Sequence, residues 1–296
     1  MESLNGILAF VRTAESLSFV KAGRVIGISA SAVGKNVARL EASLQVRLLQ
    51  RNTRNVSLTP EGHLFYERCR HILDDLQDAQ AMLSHATQAP RGRLRVSVPA
   101  IGYRFLVPVL GAFRLHYPEI ELELDFNDHL VDLVEDGFDV LIRSRGRGES
   151  KLMSRQLGPF QYVLCASPAY LERRGRPRTL VDLARHDCLR YRFVTTGKVM
   201  PWDLSTDGST QPVDYAASMT LNNMEALLMA TLGGLGIAYL PDFLARDALN
   251  DGSLHRLLAD HCSDGGQFWA LWQPNRHLSP KIRVFVDFLA EQLFKA

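Results

Sequence analysis

The sequence predicts an α+α/β chain: a small helical module closed by a β-hairpin, one long helix, then an α/β body of two lobes. Three observations carry that reading. Residues 1–86 place apolar side chains at spacings of three and four in four successive runs, interrupted only by the extended stretch Arg47–Leu58; such spacing marks amphipathic helices. From Arg93 onward, short apolar runs alternate with helical ones, the order expected of a parallel α/β sheet. Charge divides along the same line. Residues 1–60 hold eight Lys/Arg against three acids, residues 61–90 two against five, and the remainder 24 against 24. A basic module at the head of a neutral body points to a polyanionic partner for that module.

Leu4, Ile7, Leu8, Val11 and Ala14 share one face of a first helix. Ser18 suits the N-cap of a second helix carrying Phe19, Ala22, Val25 and Ile26, and Gly27 suits its end. Ser29 caps a third. Two short helices, a tight turn at Gly27-Ile28 and a third amphipathic helix make a helix-turn-helix. At roughly 100° per residue, Val33, Val37, Leu40 and Leu44 of the third helix cluster toward the core. Ser31, Lys35, Ala38 and Ala42 lie opposite, with Gly34 and Arg39 on the flanks. A glycine inside a helix costs about 1 kcal/mol relative to alanine, so Gly34 asks for a reason. A small, polar, basic first turn lets a helix enter a major groove and reach base edges. An ordinary solvated face with an incidental glycine is the alternative.

Arg47–Leu58 gives two short extended segments around a polar turn at Asn52-Thr53, flanked by Arg51 and Arg54. A basic hairpin behind such a helix is a wing, suited to backbone or minor-groove contact. Thr59-Pro60-Glu61 combines an N-cap, a proline at the first helical position and an acid in the first turn. The helix it opens runs to about Ala86, with Gly62 its only glycine. Phe65, Cys69, Ile72, Leu76, Ala79, Leu83 and Ala86 alternate spacings of four and three. That is an a/d seam, taken as a dimerisation face; an intramolecular strut is the alternative. On the seam Cys69 serves as a small packed hydrophobe. Gln88–Arg93, with proline, glycine and charge but no period, is a linker.

In the body, Leu94, Val96 and Val98 alternate in a strand ended by Pro99. A helix follows, ending near Tyr117-Pro118, then a strand at Ile120–Phe126. His129–Arg143 gives a short helix, a stop at Gly137 and a strand from Asp139 to Arg143. Ligands of such sheets sit beyond the carboxyl ends of the strands, here Pro99–Gly102, Asn127–His129 and Arg143–Arg145. In a second unit, Tyr162–Ala166 is a strand and Leu180–Leu189 a helix. Met219–Pro241 holds a strand end, a helix capped by Asn222, a glycine-rich turn and a strand. Phe268–Trp272 returns to the first lobe as a strand, and Ser279–Phe294 is a final amphipathic helix.

The order of helix-turn-helix, "SAVGKNVARLEASL", "VRLLQRNTRNVSLTPEG" and long helix, continued by this α/β pattern, resembles the LysR-type transcriptional regulators over the whole chain. The resemblance implies a winged helix-turn-helix DNA-binding domain at 1–59 and a coiled-coil linker and dimerisation helix at 60–90. It implies an effector-binding domain at 91–296, similar to the periplasmic binding proteins. Lobe I would take 91–161 plus 267–296 and lobe II 162–266, with crossings near Gln161 and Gly266. Also implied are a homodimer or homotetramer on interrupted-palindrome, double-stranded promoter DNA and a small-molecule effector. RNA polymerase enters as a further partner; no catalysis, cofactor or metal is expected.

The DNA-binding residues implied are Ser29, Ala30, Ser31, Gly34, Lys35, Arg39, Arg51, Thr53 and Arg54. Against the common family pattern, Ala30 stands where glutamine is frequent, Gly34 for serine, Lys35 for arginine and Gln45 for glycine. Direct base readout then leans on Ser31 and Lys35, and on DNA shape read by the wing. The effector residues implied are Pro99, Ala100, Ile101, Asn127, Arg143, Phe193, Asn222 and Gly236. Backbone amides after Pro99 suit an anion. Arg143 suits a carboxylate, a structural salt bridge being its alternative role.

Other classes fit poorly. Four cysteines without a C-x-x-C pair give neither a zinc ribbon nor a disulfide framework and fit a reducing compartment. No signal peptide is expected at Met1-Glu2-Ser3, and Leu227–Pro241 is too short and glycine-rich to span a bilayer; a cytoplasmic protein is expected, with no membrane partner. Gly233–Gly236 follows a helix and precedes a strand, the reverse of a dinucleotide loop. His255, His261 and Cys262 lack a fourth metal ligand at plausible spacing, and no G-x-S-x-G serine elbow occurs. The rival reading is a small-molecule binding protein or enzyme whose N-terminal module contacts protein; the basic charge of residues 1–60 opposes it. A regulator under redox or pH control is a third reading.

Overall fold

Helices α1 (Glu2–Ser16), α2 (Phe19–Ile26) and α3 (Ala30–Leu44) close around Phe10, Val11, Ala22, Val33, Val37 and Leu40, all buried. The computed structural model describes residues 2–51, 56–83, 90–133, 135–144, 152–206, 209–213, 215–262, 265–274 and 279–294. The chain divides into two units, Met1–Ala89 and Pro90–Ala296, so the long helix groups with the N-terminal module.

In the first unit the caps follow the sequence. Ser18 Oγ accepts from the Lys21 amide, and Ser29 Oγ from the Ala32 amide at 3.1 Å. Gly27 takes the left-handed conformation, φ 80°. Gly23 gave no sequence signal, yet a Cβ there would stand 2.6 Å from the Ile28 carbonyl oxygen, so its bare backbone permits the tight α2–α3 turn. Helix α3 ends at Gln45, φ 56°, a conformation that costs a side-chain-bearing residue more than glycine. Leu44, expected in the core, is 40% exposed; it sits in the last turn and borders a groove with Leu48, Leu64 and Phe65. Glu41 Oε1 then accepts from the Leu48 and Leu49 amides at 2.9 and 3.0 Å, which fixes the start of β1 (Leu49–Arg51). Strand β1 pairs antiparallel with β2 (Val56–Leu58). The wing turn with Thr53 and Arg54, and the side chain of Arg51, lie outside the described residues.

Helix α4 (Pro60–Leu83) opens on Thr59, whose Oγ1 accepts from the Gly62 amide at 2.9 Å. A Cβ on Gly62 would stand 2.0 Å from the Leu48 carbonyl oxygen, so this glycine lets α4 press onto the chain entering the hairpin. The expected seam divides here. Phe65 and Cys69, joined by Leu73, pack into the core of the first unit, and burial pushes the Cys69 thiol up to about 11. Ile72 and Leu76 of the same seam are exposed, as is Leu64, among the described side chains of this helix. Spacings of three and four mark an apolar face without naming what covers it, and here the small module covers part of it. The side chains of Ala79 and Leu83 lie outside the described residues.

The second unit begins with β3 (Gly92–Val98), a 3-10 turn at Ala100–Gly102, α5 (Tyr103–His116), β4 (Ile120–Phe126) and β5 (Val140–Arg143). Strands β4, β3 and β5 are parallel. The short helix expected before Gly137 is absent among the described residues. Asp136 accepts from the Asp132 amide and Asp132 from the Glu135 amide, each at 2.9 Å. Carboxylates that bond nearby backbone in this way compete with helix formation.

Strand β6 (Met153–Ala166) runs for 14 residues and is followed by α6 (Pro168–Arg174), β7 (Cys188–Tyr191), the hairpin β8 (Trp202–Thr206) and β9 (Ser209–Val213), and β10 (Ala217–Leu221). Then come α7 (Met224–Leu232), β11 (Ile237–Pro241), α8 (Asp242–Asn250), β12 (His255–Leu257), β13 (Gly265–Trp272) and α9 (Pro280–Gln292). The helix expected at Leu180–Leu189 is only a 3-10 turn, Val181–Arg185, before β7. Asp182 holds the Arg178 and Thr179 amides there, and Cys188 and Leu189 are buried in the sheet. The cap of α7 is Asn223, not Asn222: its Oδ1 accepts from the Ala226 amide at 2.9 Å.

The sheet order is β10-β7-β11-β6-β13-β5-β3-β4, with β12 also on β6. Strand β6 pairs with β13 up to Gln161, then with β11 from Tyr162. One strand thus serves both lobes, and one cluster of buried residues runs through both. Among the described residues no helix is long and apolar enough to cross a membrane.

Candidate functional site

Two surfaces carry the residues singled out by the sequence. On α3, Val33 and Val37 are fully buried, which turns Ser31, Lys35, Ala38 and Arg39 outward, all exposed, beside the exposed cap Ser29. Ala30 and Gly34 are half-buried. A Cβ placed on Gly34 would meet no atom within 4 Å; nothing inside the fold requires a glycine there.

The second surface is a cavity of about 440 Å³ between the lobes. Pro99, Ile101, Asn127 and Arg143 line it from lobe I and Phe193 from lobe II. Ala100, Asn222 and Gly236 do not. Gly236 is buried in packing instead, for a Cβ there would stand 2.2 Å from the Asp187 carbonyl oxygen. Asn222 is exposed ahead of the true cap. Ala100 is the instructive case. Its amide, at the helix start expected to hold an anion, already donates to Asp128 Oδ1 at 3.0 Å. The protein supplies its own carboxylate at that position.

Arg143 closes β5 with its side chain folded onto β3. Its Nη2 donates to Ser97 Oγ at 2.9 Å, and its Nη1 to the Ile142 and Ser97 carbonyls at 2.7 and 3.2 Å. Burial pulls the guanidinium below its ordinary pKa, against the attraction of Asp128 and Asp125. Neutral oxygens orient this cation and no carboxylate of the described residues pairs with it at contact distance, so the structural salt bridge is not its role. A half-buried cation whose hydrogen bonds all go to neutral oxygens can still take up an incoming anion, in competition with Asp128 and Asp125.

The remaining wall is aromatic and was not foreseen. Phe160, Tyr162, Tyr191, Phe243 and Phe268 line the cavity. Phe160 and Phe268 lie 4.9 Å apart, centroid to centroid, and Phe160 and Phe243 meet edge to face at 5.8 Å. Phe160, Tyr162 and Phe268 sit where β6, β13 and β11 exchange partners, with Tyr191 on β7 and Phe243 on α8 beside them, a junction that single-strand patterns do not reveal. At the rim, Arg104 on α5 clasps Glu225 on α7 through two hydrogen bonds of 2.9 Å. Tyr103 donates to the same carboxylate at 2.5 Å and leans edge-on against Phe126. Met224, beside Glu225, lines the cavity, so this clasp ties the two lobes at its edge. Among the described residues no cluster of metal-ligating groups occurs.

Comparison with known proteins agrees with this architecture. The family described as the LysR substrate binding domain matches residues 87–294, and the lysR family of bacterial regulatory helix-turn-helix proteins matches residues 4–63. The chain is 34% identical over 289 residues to the HTH-type transcriptional regulator CrgA of Neisseria meningitidis serogroup C, covering 97% of this chain and 96% of that one. It is 32% identical over 295 residues to the HTH-type transcriptional activator AaeR of Escherichia coli, covering 98% and 94%. The solved structure of CrgA, a LysR-type transcriptional regulator from Neisseria meningitidis, superposes with a TM-score of 0.64 over 98% of both chains, at 32% identity. From its N-terminal helix-turn-helix to its two-lobed C-terminal domain, this chain belongs to the LysR family of transcriptional regulators, which are not enzymes.

Proposed function

We propose that the protein binds double-stranded promoter DNA at an interrupted palindrome, as a homodimer or homotetramer in the cytoplasm, under control of a small effector in the inter-lobe cavity. The single observation that carries the DNA reading is the outward edge of α3: Ser31, Lys35 and Ala38 exposed, with open space over Gly34. Small side chains allow close approach and the cation meets phosphate or a guanine edge. Arg39, and the wing residues Arg51, Thr53 and Arg54, extend the contact. The exposed apolar edge of α4, the seam residues Ile72 and Leu76 together with Leu64, supplies the self-association surface, without Phe65 and Cys69. A regulator seated at a promoter is placed to meet RNA polymerase.

The effector is a small molecule with an acidic group and an apolar body. Arg143 receives the acid and the aromatic wall receives the body. Ala100 contributes no amide to it.

The test is a gel shift, across a salt series, with the DNA upstream of the protein's own gene. The intact protein is expected to prefer that DNA over random sequence. Lys35→Ala should weaken binding, and if Lys35 meets phosphate the slope of log affinity against log salt should fall by about one. Equal binding to random DNA, unaffected by Lys35→Ala, would overturn the proposal. Arg143→Gln should leave basal DNA binding intact and abolish the stabilisation of the native protein by small carboxylates in a thermal-shift screen.

A further inference from the structure

Lobe II holds a second concavity of about 520 Å³, separate from the inter-lobe cavity. Its walls come from three elements: Arg176 after α6, Arg246 on α8, and His255 and Arg256 on β12. Arg176 is pinned across it, with Nη2 donating to the Arg256 carbonyl at 2.7 Å. Among the described residues, no carboxylate forms an ion pair with Arg176, Arg246 or Arg256. One acid, Asp242, lines the site, and its Oδ1 is engaged by the Phe243 and Gln161 amides at 2.8 and 3.2 Å.

Three guanidiniums gathered in a concave wall repel one another and focus a positive potential outward. Asp242 alone among the described lining residues offsets that charge, and none of the three arginines belongs to the hydrophobic core. An anion offsets the rest. Guanidinium forks bond phosphate oxygens in pairs. Approach from three elements suits a tetrahedral dianion, whose oxygens face several directions, better than a planar monocarboxylate. Leu249 and Asn250 at the margin offer an apolar contact and an amide for the carbon skeleton carrying the phosphate.

We propose that this concavity is a second ligand site, specific for a small organic phosphate whose phosphate group sits among Arg176, Arg246 and Arg256. The site does not depend on the reading of the inter-lobe cavity; the two share only the β11–α8 junction, where Pro241 and Phe243 face one and Asp242 the other.

The test is calorimetric titration of the full-length protein at fixed ionic strength with ribose 5-phosphate, inorganic phosphate and citrate. Ribose 5-phosphate is expected to bind saturably, and more tightly than the other two. Arg246→Gln and Arg256→Gln should each weaken it by about tenfold or more, as expected for loss of a charge-assisted hydrogen bond. Arg256→Lys, which keeps the charge and loses the fork, should fall between. Matched thermal melts check that the variants fold; all three changes are on exposed side chains. Arg143→Gln should leave the titration unchanged. Absence of saturable binding, unchanged binding in the Arg246→Gln/Arg256→Gln double variant, or loss in Arg143→Gln would overturn the site. Citrate or inorganic phosphate binding as tightly as ribose 5-phosphate would overturn its assignment to an organic phosphate.

Discussion

Gly34 stands on α3 with open space where a side chain would project. Alanine therefore enters without a clash and recovers helix propensity. Gly34→Ala should raise the unfolding free energy by up to about 1 kcal/mol, measured by denaturant unfolding, while leaving specific DNA affinity unchanged or weaker in a gel shift. A clear gain in specific affinity would show that the glycine plays no part in groove approach. Gly34 was legible because helix-interior glycines are costly wherever they occur. Gly23 and Gly62 were not, because their reason is a backbone oxygen from another segment, 2.6 and 2.0 Å from the missing Cβ. Asp128 was hidden likewise. A sequence shows that helix-start amides follow Pro99, but not that a carboxylate 28 residues later reaches the first of them.

At the scale of elements, the clasp between α5 and α7 gives a pH signature. Hydrogen bonds from Arg104 hold the Glu225 carboxyl below its ordinary value, with Tyr103 adding to the effect against the opposing burial. The folded state then binds fewer protons at this site than the unfolded chain. The stabilisation is complete above the unfolded value near 4.5 and is lost as pH falls through the lowered folded value. Thermal unfolding of the intact protein and of Glu225→Gln, compared from about pH 7 down to pH 3, should show a difference that shrinks with acid. A difference independent of pH would mean that the clasp does not depend on the charge of Glu225. Elements with a regular period were the legible ones: α1 to α4, β3, β4 and α9 all form where spacing and caps place them. The helix expected near Leu180 failed because its apolar residues belong partly to a turn and partly to β7. The seam of α4 was found as a pattern but its start was misassigned as a surface, since Phe65 and Cys69 complete the core of their own module while Ile72 and Leu76 stay exposed.

At the scale of the whole molecule, each unit has its own core. A fragment of residues 90–296 should therefore fold alone, with a cooperative thermal transition matching one transition of the full chain by calorimetry. A fragment without a cooperative transition would show that the second unit needs the first. The division into a basic module and an α/β body was plain in charge and periodicity, because both are properties of long segments. The inter-lobe cavity was legible along its lobe I strand ends and, through the family resemblance, at Phe193 of lobe II. Its aromatic wall is assembled from β6, β7, β13 and α8, distant in sequence and brought together by the fold.

That sheet order bears on how such a protein can be rebuilt. Strand β6 enters lobe II without a break, and β13 leaves it paired back along the same strand. The lobes are therefore not interchangeable cassettes. A chimaera that grafts lobe II from a relative must cut two paired strands at matching positions, near Gln161 and Gly265, and a one-residue error at either cut turns every following side chain to the opposite face. Recombination within this domain is constrained to that pair of junctions, whereas the boundary before Pro90 offers a cut between units with separate cores.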